Sequence, residues 1–335
     1  MIQSFCKDPF FLKHWENTWL YGRHKANGRL SKNISLRYRK YTYPHDWHAF
    51  MFIDDIHLRA MPIMLNDKER EKYSTRLEPF SREKEILVAH AISARDRHLG
   101  DALSEFIRST VQTICSMGSV FYEIVYQKDD TGKIKSFELE FLEPSYLFKF
   151  GKNYYQFIHW WEAKESWIKV QIIKIPNEKI LRIDFPKNFG GKNKIKNLMQ
   201  RFKKLDKDIV VPYFQIQAME KNQNIWFEYD EFIKNKYLEI AILTKLTGWN
   251  QREYSTNHIT EYYSMIRLLR QRKLEATLRQ EIISKLNETL NWPILNLETK
   301  IIIDNLFTVQ DVEEQEKLLE KWDIAFADII KALDI

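Results

Sequence analysis

The sequence predicts an α+β protein in which a β-rich block near the middle of the chain is enclosed by helical segments. Two observations carry this. Between Ser119 and Phe185 the chain is rich in β-formers, and Val120, Tyr122, Ile124 and Tyr126 alternate with Phe121, Glu123 and Val125. On either side of that block, apolar residues recur at steps of three and four, the spacing that gathers them on one face of a helix.

In chain order, residues 1–85 are aromatic-rich, with Trp15, Trp19, Trp47, Phe50 and Phe52, and suggest a packed, irregular region. The charged run Asn66 to Arg82 reads as a loop or an exposed helix. Leu99, Leu103, Phe106, Thr110 and Ile114 mark the first amphipathic helix, with Ser93 and Asp96 as capping oxygens upstream and Gly118 as a stop. In the β-rich block, Asp129-Asp130-Thr131-Gly132 reads as a hairpin turn because Asp and Gly tolerate positive φ. Ile134 to Leu142 is the partner strand, and further strands are expected at Tyr154 to Trp160, Trp167 to Ile173 and Ile180 to Phe185. Pro176 to Lys179 supplies the last turn.

After Gly190-Gly191 the helical period returns with Ile195, Leu198, Met199, Phe202, Leu205 and Ile209, and Pro212 is expected to kink or end that helix. Val210 to Tyr229 reads either as two short strands around Lys221 to Asn224 or as a continuing kinked helix. A helix from about Asp230 carries Ile233, Tyr237, Ile240 and Thr244 on one face and ends at Gly248. Trp249 to Ser255 is a polar loop. A long helix from about Thr256 to Leu290 buries Ile259, Tyr262, Ile266, Leu269, Leu278, Ile282 and Leu286, and Trp292-Pro293 stops it. A last helix is expected over Val309 to Leu333.

Composition bounds the function. At 335 residues there is room for one large domain or two ordinary ones. Hydrophobic content of 44% and charged content of 29% are those of a soluble globular protein. No apolar run approaches the roughly 18 residues of a membrane span, and the polar start of the chain does not read as a signal peptide. Cys6 and Cys115 fit a reducing compartment and are too few for a Cys-rich zinc site. The net charge is +6, with basic runs from Arg23 to Lys40 and from Lys187 to Lys207. Such runs can bind nucleic acid, although a solvated basic face is the commoner role of each taken by itself.

The motifs of catalysis fail on inspection. Gly190-Gly191-Lys192 follows a strand and opens a helix, but Pro186 stands at the first glycine of a phosphate-binding loop and Asn193 at its Ser/Thr, which removes the Mg²⁺ ligand. His45, Asp46, His48, Asp54, Asp55 and His57 repeat no metal-site spacing. Glu162-Ala163-Lys164 matches a nuclease element in outline and lacks an upstream Asp. No metal, cofactor or catalytic residue is assigned.

The order of the pieces is informative. A helix from Leu99 to Met117 leads into Gly118, followed by Phe121-Tyr122-Glu123-Ile124-Val125, Gly132-Lys133-Ile134 and Leu142-Glu143-Pro144. Ile175-Pro176 through Ile180 to Pro186 and Phe189-Gly190-Gly191 come next, then Ala241 to Gly248 and Tyr262 to Leu290. This series resembles the portal (head–tail connector) proteins of tailed bacteriophages over about residues 90 to 335. The resemblance implies an α/β wing in two parts, 1–85 and 86–190, a first stem helix at 191–209, a clip at 210–229 and a second stem helix at 230–248. A tunnel loop with the long wing helix (249–292) and a short C-terminal helical crown (293–335) complete it. It also implies a non-catalytic homo-oligomeric ring, usually of twelve, at a capsid vertex, assembled in the host cytoplasm and acting as the conduit for double-stranded DNA in packaging and ejection. Partners would be the major capsid protein, a terminase motor and neck or tail adaptors, with no membrane. Only about 20 residues stand where the family places a sizeable clip, so the motor-docking end is expected to be reduced.

On that reading Lys192, Lys194, Lys196, Arg201, Lys203, Lys204 and Lys207 are the candidates for facing DNA, and Asn250, Gln251, Arg252, Glu253, Tyr254 and Ser255 match the tunnel loop. Arg267, Arg270, Arg272, Lys273 and Arg279 form a further basic surface, suited to salt bridges between subunits or to solvation. Two alternatives remain open: a basic DNA-binding protein, and a metal-dependent nuclease of a mobile element.

Overall fold

The computed structural model describes residues 18–21, 35–39, 47–61, 73–93, 98–157, 172–215, 229–250 and 261–333. It is a mixed helix and strand structure in two compact units. Unit 1 comprises residues 1–42 and 120–182, and unit 2 comprises 43–119 and 183–335.

In unit 1, β1 (Thr18–Tyr21) pairs antiparallel with β2 (Ser35–Arg39). The β-rich block follows the alternation of its side chains. β4 (Ser119–Lys128) and β5 (Ile134–Leu142) form an antiparallel hairpin in register from Phe121↔Leu142 to Lys128↔Ile134. Asp129 closes the turn: its Oδ1 accepts from the Thr131 and Lys133 amides, each at 2.9 Å, and from Thr131 Oγ1 at 2.7 Å. The Thr131 hydroxyl is the chief reason that the Asp129 carboxyl sits below its ordinary pKa. β9 (Ile180–Asp184) lies on the other side of β4, giving the order β5-β4-β9. A second sheet, β6-β7-β8, is made of Leu147–Phe150, Asn153–Phe157 and Ile172–Pro176, all antiparallel. Leu142, Tyr154, Ile173, Ile175 and Ile180 are the buried centre of this unit.

Unit 2 is mainly helical, with a small two-stranded sheet of which only Leu77 and Ile301 are buried. Trp47 to Ala60 is a regular helix, α1, rather than an irregular region. Ala49, Phe52, Ile53, Ile56 and Ala60 are buried along it, at the three-and-four spacing of one face. The run expected as loop or exposed helix contains strand β3 (Ser74–Glu78), which pairs with β10 (Lys300–Asp304). Helix α2 spans Arg82–Ile92 and is capped by Ser81.

Helix α3 (Leu99–Met117) matches its expected bounds, but its N-cap is His98, which makes no side-chain capping bond. Ser93 closes α2 and donates to Glu105 at 3.1 Å; Asp96 lies outside the described residues. Leu99, Leu103, Phe106, Ile107, Thr110 and Ile114 are buried. Gly118 ends α3 at φ +79°, donating to Ile114 O at 2.7 Å. A Cβ there would stand 2.3 Å from Lys192 O, so glycine is required by the close approach as well as by the backbone.

Helix α4 (Gly191–Gln215) runs through Pro212, which removes one donor without ending it, so Val210 to Phe214 is helix and not strand. Helix α5 (Tyr229–Thr247) ends at Gly248 as expected, although Tyr237 is 56% exposed rather than part of the buried face. Helix α6 (Glu261–Leu290) buries Leu269, Leu278, Ile282 and Leu286, whereas Ile266 is exposed. The single C-terminal helix is in fact two, α7 (Val309–Glu320) and α8 (Phe326–Ala332). They are separated at Trp322, whose φ of +60° cannot continue a right-handed helix.

Candidate nucleic-acid interface

The basic candidates lie at the start of α4. Pro186 and a 3₁₀ turn lead into Gly190 (φ +104°) and Gly191 (φ +70°), and the Gly191 amide donates to Pro186 O at 3.0 Å. From there Ile195, Leu198, Met199 and Phe202 form a buried stripe, with Phe202 stacked on the buried His48 ring at 5.9 Å between centroids. Four such side chains, each worth about 1.5–3 kcal/mol on burial, fix the rotation of α4 about its axis. At about 100° per residue, Lys192, Lys196 and Lys203 then fall along one flank of that stripe and Lys194 and Arg201 along the other.

Helices α4 and α5 run antiparallel. The start of α4 meets the end of α5, since a Cβ on Gly190 would lie 3.5 Å from Leu246. Ten residues further on, Arg201 reaches back along α5 to Glu239, with Nη1 3.1 Å from Oε1. Glu239 is buried and its carboxyl is held above the ordinary value, because desolvation outweighs the Arg201 charge. Arg201, itself exposed, is thus paired within the subunit. Lys192, Lys194, Lys196 and Lys204 are exposed and Lys203 half-buried. The side chain of Lys207 lies outside the described residues.

Trp249, at the head of the polar loop, is fully buried. Its indole donates to Asp55 Oδ2 at 2.7 Å, its ring meets Phe52 edge-on, and its carbonyl accepts from Thr244 Oγ1 at 2.7 Å. A polar loop and a buried tryptophan thus adjoin, and Asn250, half-buried, is the one tunnel-loop candidate within the described residues. Gln251, Arg252, Glu253, Tyr254 and Ser255 lie outside them.

The basic residues of α6 do not share one solvated surface: Arg270 is exposed, Arg267 and Lys273 are half-buried, and Arg272 and Arg279 are buried. Arg270 Nε donates to Leu246 O at 3.1 Å and so caps α5. Lys273 bridges to Glu313 at 3.2 Å and Glu316 at 2.6 Å on α7; burial works against its charge, yet the two glutamates hold its pKa above the ordinary value. Arg272 and Arg279 are buried around a fully buried Glu275, with Arg272 Nη1 2.7 Å from Glu275 Oε2. Arg279 donates to Ala60 O at 2.9 Å and to Phe307 O, and its guanidinium stands 4.7 Å from the Phe307 ring. Burial pushes Arg279 down to about 10, which leaves it charged at neutral pH. The i,i+3 and i,i+4 spacing of these charges is the same in sequence whether the pair is in water or in a core. Only a knowledge of what covers α6 separates the two.

Among the described residues no group of three or more His, Cys, Asp or Glu is placed to hold a metal ion. Asp55 is engaged by Trp249, and His57 Nδ1 lies 2.9 Å from Ile53 O. His45, Asp46, Glu162 and Lys164 lie outside the described residues. No described helix is long and apolar enough to cross a membrane.

No protein-family model matches this chain, and no curated protein does. Among solved structures it is similar to an HK97 family phage portal protein from Corynebacterium diphtheriae, at 9% identity and a TM-score of 0.40, over 78% of this chain and 96% of that one. Likeness of that degree does not define a shared fold.

Proposed function

We propose that this chain is the subunit of a portal-like homo-oligomeric ring, a non-catalytic conduit for double-stranded DNA at a capsid vertex. The observation that supports it best is the antiparallel pair α4–α5. It stands at the place in the motif order where two stem helices are expected, after Phe189-Gly190-Gly191 and before Gly248, and carries Lys192, Lys194, Lys196 and Lys204 exposed. Dispersed lysines suit a surface that DNA must slide along, since dense phosphate neutralisation would hold the duplex in a salt-dependent grip. Arg201 is exposed as well and pairs with Glu239. Twelve subunits, a capsid protein neighbour, a terminase motor and neck or tail adaptors complete the reading, as does a reduced clip.

Negative-stain imaging and mass photometry of the purified chain test it. Rings with a central hole are expected. A strictly monomeric sample at high concentration overturns the proposal, as does Mg²⁺-dependent DNA cleavage lost on Glu162→Ala.

A further inference from the structure

The β6-β7-β8 sheet of unit 1 has two chemically different faces. Side chains alternate across a strand, and residues opposite one another in the ladder share a face. Leu147, Tyr154, Gln156, Ile173 and Ile175 point inward and are buried or half-buried. The other face carries Phe148 opposite Tyr155, which in turn lies opposite Lys174; the next row is Phe150, Asn153 and Pro176. Here the burial pattern inverts. Phe148 is 48% and Phe150 75% exposed, in strands where an outward residue is ordinarily polar. Phe148 and Tyr155 stack with centroids 5.5 Å apart and planes at 16°. Phe150 follows two residues along the strand, about 6.6 Å away.

The charges on this sheet have one sign. The strands and the Gly151-Lys152 turn hold Lys149, Lys152 and Lys174 and no Asp or Glu. Lys149 belongs to the inner face and covers the Tyr154 ring at 5.4 Å. Lys152 and Lys174 are exposed. Exposed aromatic rings interleaved with cations, without a carboxylate to repel phosphate, match the chemistry of a single strand of nucleic acid, whose bases stack on rings while its backbone seeks positive charge. A duplex keeps its bases stacked on one another and offers no ring face. An apolar protein partner would use the phenylalanines but not the lysines beside them.

We propose that the outward face of β6-β7-β8 binds single-stranded nucleic acid, with Phe148 and Phe150 as stacking surfaces and Lys152 and Lys174 as phosphate contacts. It rests on residues other than the α4 lysines and does not depend on the ring.

The test is fluorescence anisotropy of the full chain with labelled oligothymidylate of about 20 nucleotides, longer than the site size of one such platform. Phe148→Leu and Phe150→Leu keep apolar area and lose the ring; each is expected to weaken binding at least about fivefold, the lower bound for one stacked base. Phe150→Trp retains binding. Lys152→Ala and Lys174→Ala each flatten the slope of log affinity against log salt by about 0.7. Lys300→Ala, at an exposed lysine of β10, leaves oligothymidylate binding unchanged. The proposal is overturned if the parent does not bind the strand at low salt, or if the leucine variants bind as well as the parent. Loss of binding in Lys300→Ala also overturns it. So does self-association that disappears in Phe150→Leu without any strand binding.

Discussion

Replacing Gly248 by Ala tests the joint between α5 and α6. Gly248 has φ +79°, and a Cβ built on it would lie 2.2 Å from Arg267 O and 2.7 Å from Gln271 N, both backbone atoms of α6. Two costs add. The left-handed backbone costs a residue with a Cβ about 1–2 kcal/mol. The overlap exceeds an ångström and meets backbone rather than a flexible side chain, so the helices must part; overpacking of that kind costs about 1–3 kcal/mol. The total is about 2–5 kcal/mol. Gly191, in the same unit, isolates the first cost: it has φ +70° and nothing within 4 Å of the added Cβ. Equilibrium urea unfolding of both variants should show Gly191→Ala losing about 1–2 kcal/mol and Gly248→Ala clearly more. Equal losses, or a Gly248→Ala variant as stable as the parent, would refute the close approach.

Three further outcomes are expected. Trp249→Phe removes the indole donor from buried Asp55 and should cost about 1.5–3 kcal/mol in urea unfolding, with Asp55→Asn recovering part of the loss in the same background. Glu275→Gln strips the buried countercharge from between Arg272 and Arg279 and should cost about 3–5 kcal/mol; a loss below 1 kcal/mol would show that the cluster is not held by charge. Glu281 is half-buried, and desolvation, followed by the Asp184 charge, raises its pKa above 4.5. The folded state therefore holds this proton more tightly than the unfolded one, and the group's contribution to stability falls as pH rises through the window above 4.5. Glu281→Gln should stabilise the protein at pH 7, and unfolding at pH 4 should show that gain shrinking.

Periodic elements were legible in the sequence: α3, the β4–β5 hairpin and the end of α6 stand where their patterns put them, because one face of each meets a core and the other meets water. Helix α1 carries the same signal in Ala49, Phe52, Ile53, Ile56 and Ala60, obscured by its many aromatic neighbours. β3 and β10 give no such signal, since Ser74–Glu78 is too polar to read as a strand until β10 is seen beside it. The break at Trp322 depends on a backbone angle that no side-chain pattern encodes. At the candidate interface, sequence located the lysines of α4 but not which of them the fold commits elsewhere. Arg201 pairs with Glu239, 38 positions away in sequence, and Arg272 and Arg279 lie in a core packed around their helix.

The chain departs from unit 2 at Ser119 and rejoins it at Ile183, and the Gly118 carbonyl accepts from the Phe185 amide at 2.9 Å. Exit and re-entry thus sit one hydrogen bond apart, like the two sides of a doorway. Whatever is threaded between them closes a loop whose ends unit 2 has already brought together, and doubling the length of such a loop costs only about 0.6 kcal/mol. Residues 120–182 are thus free to be lengthened, trimmed or traded for another module over evolutionary time, and a grafted domain with adjacent termini could be received at the same place.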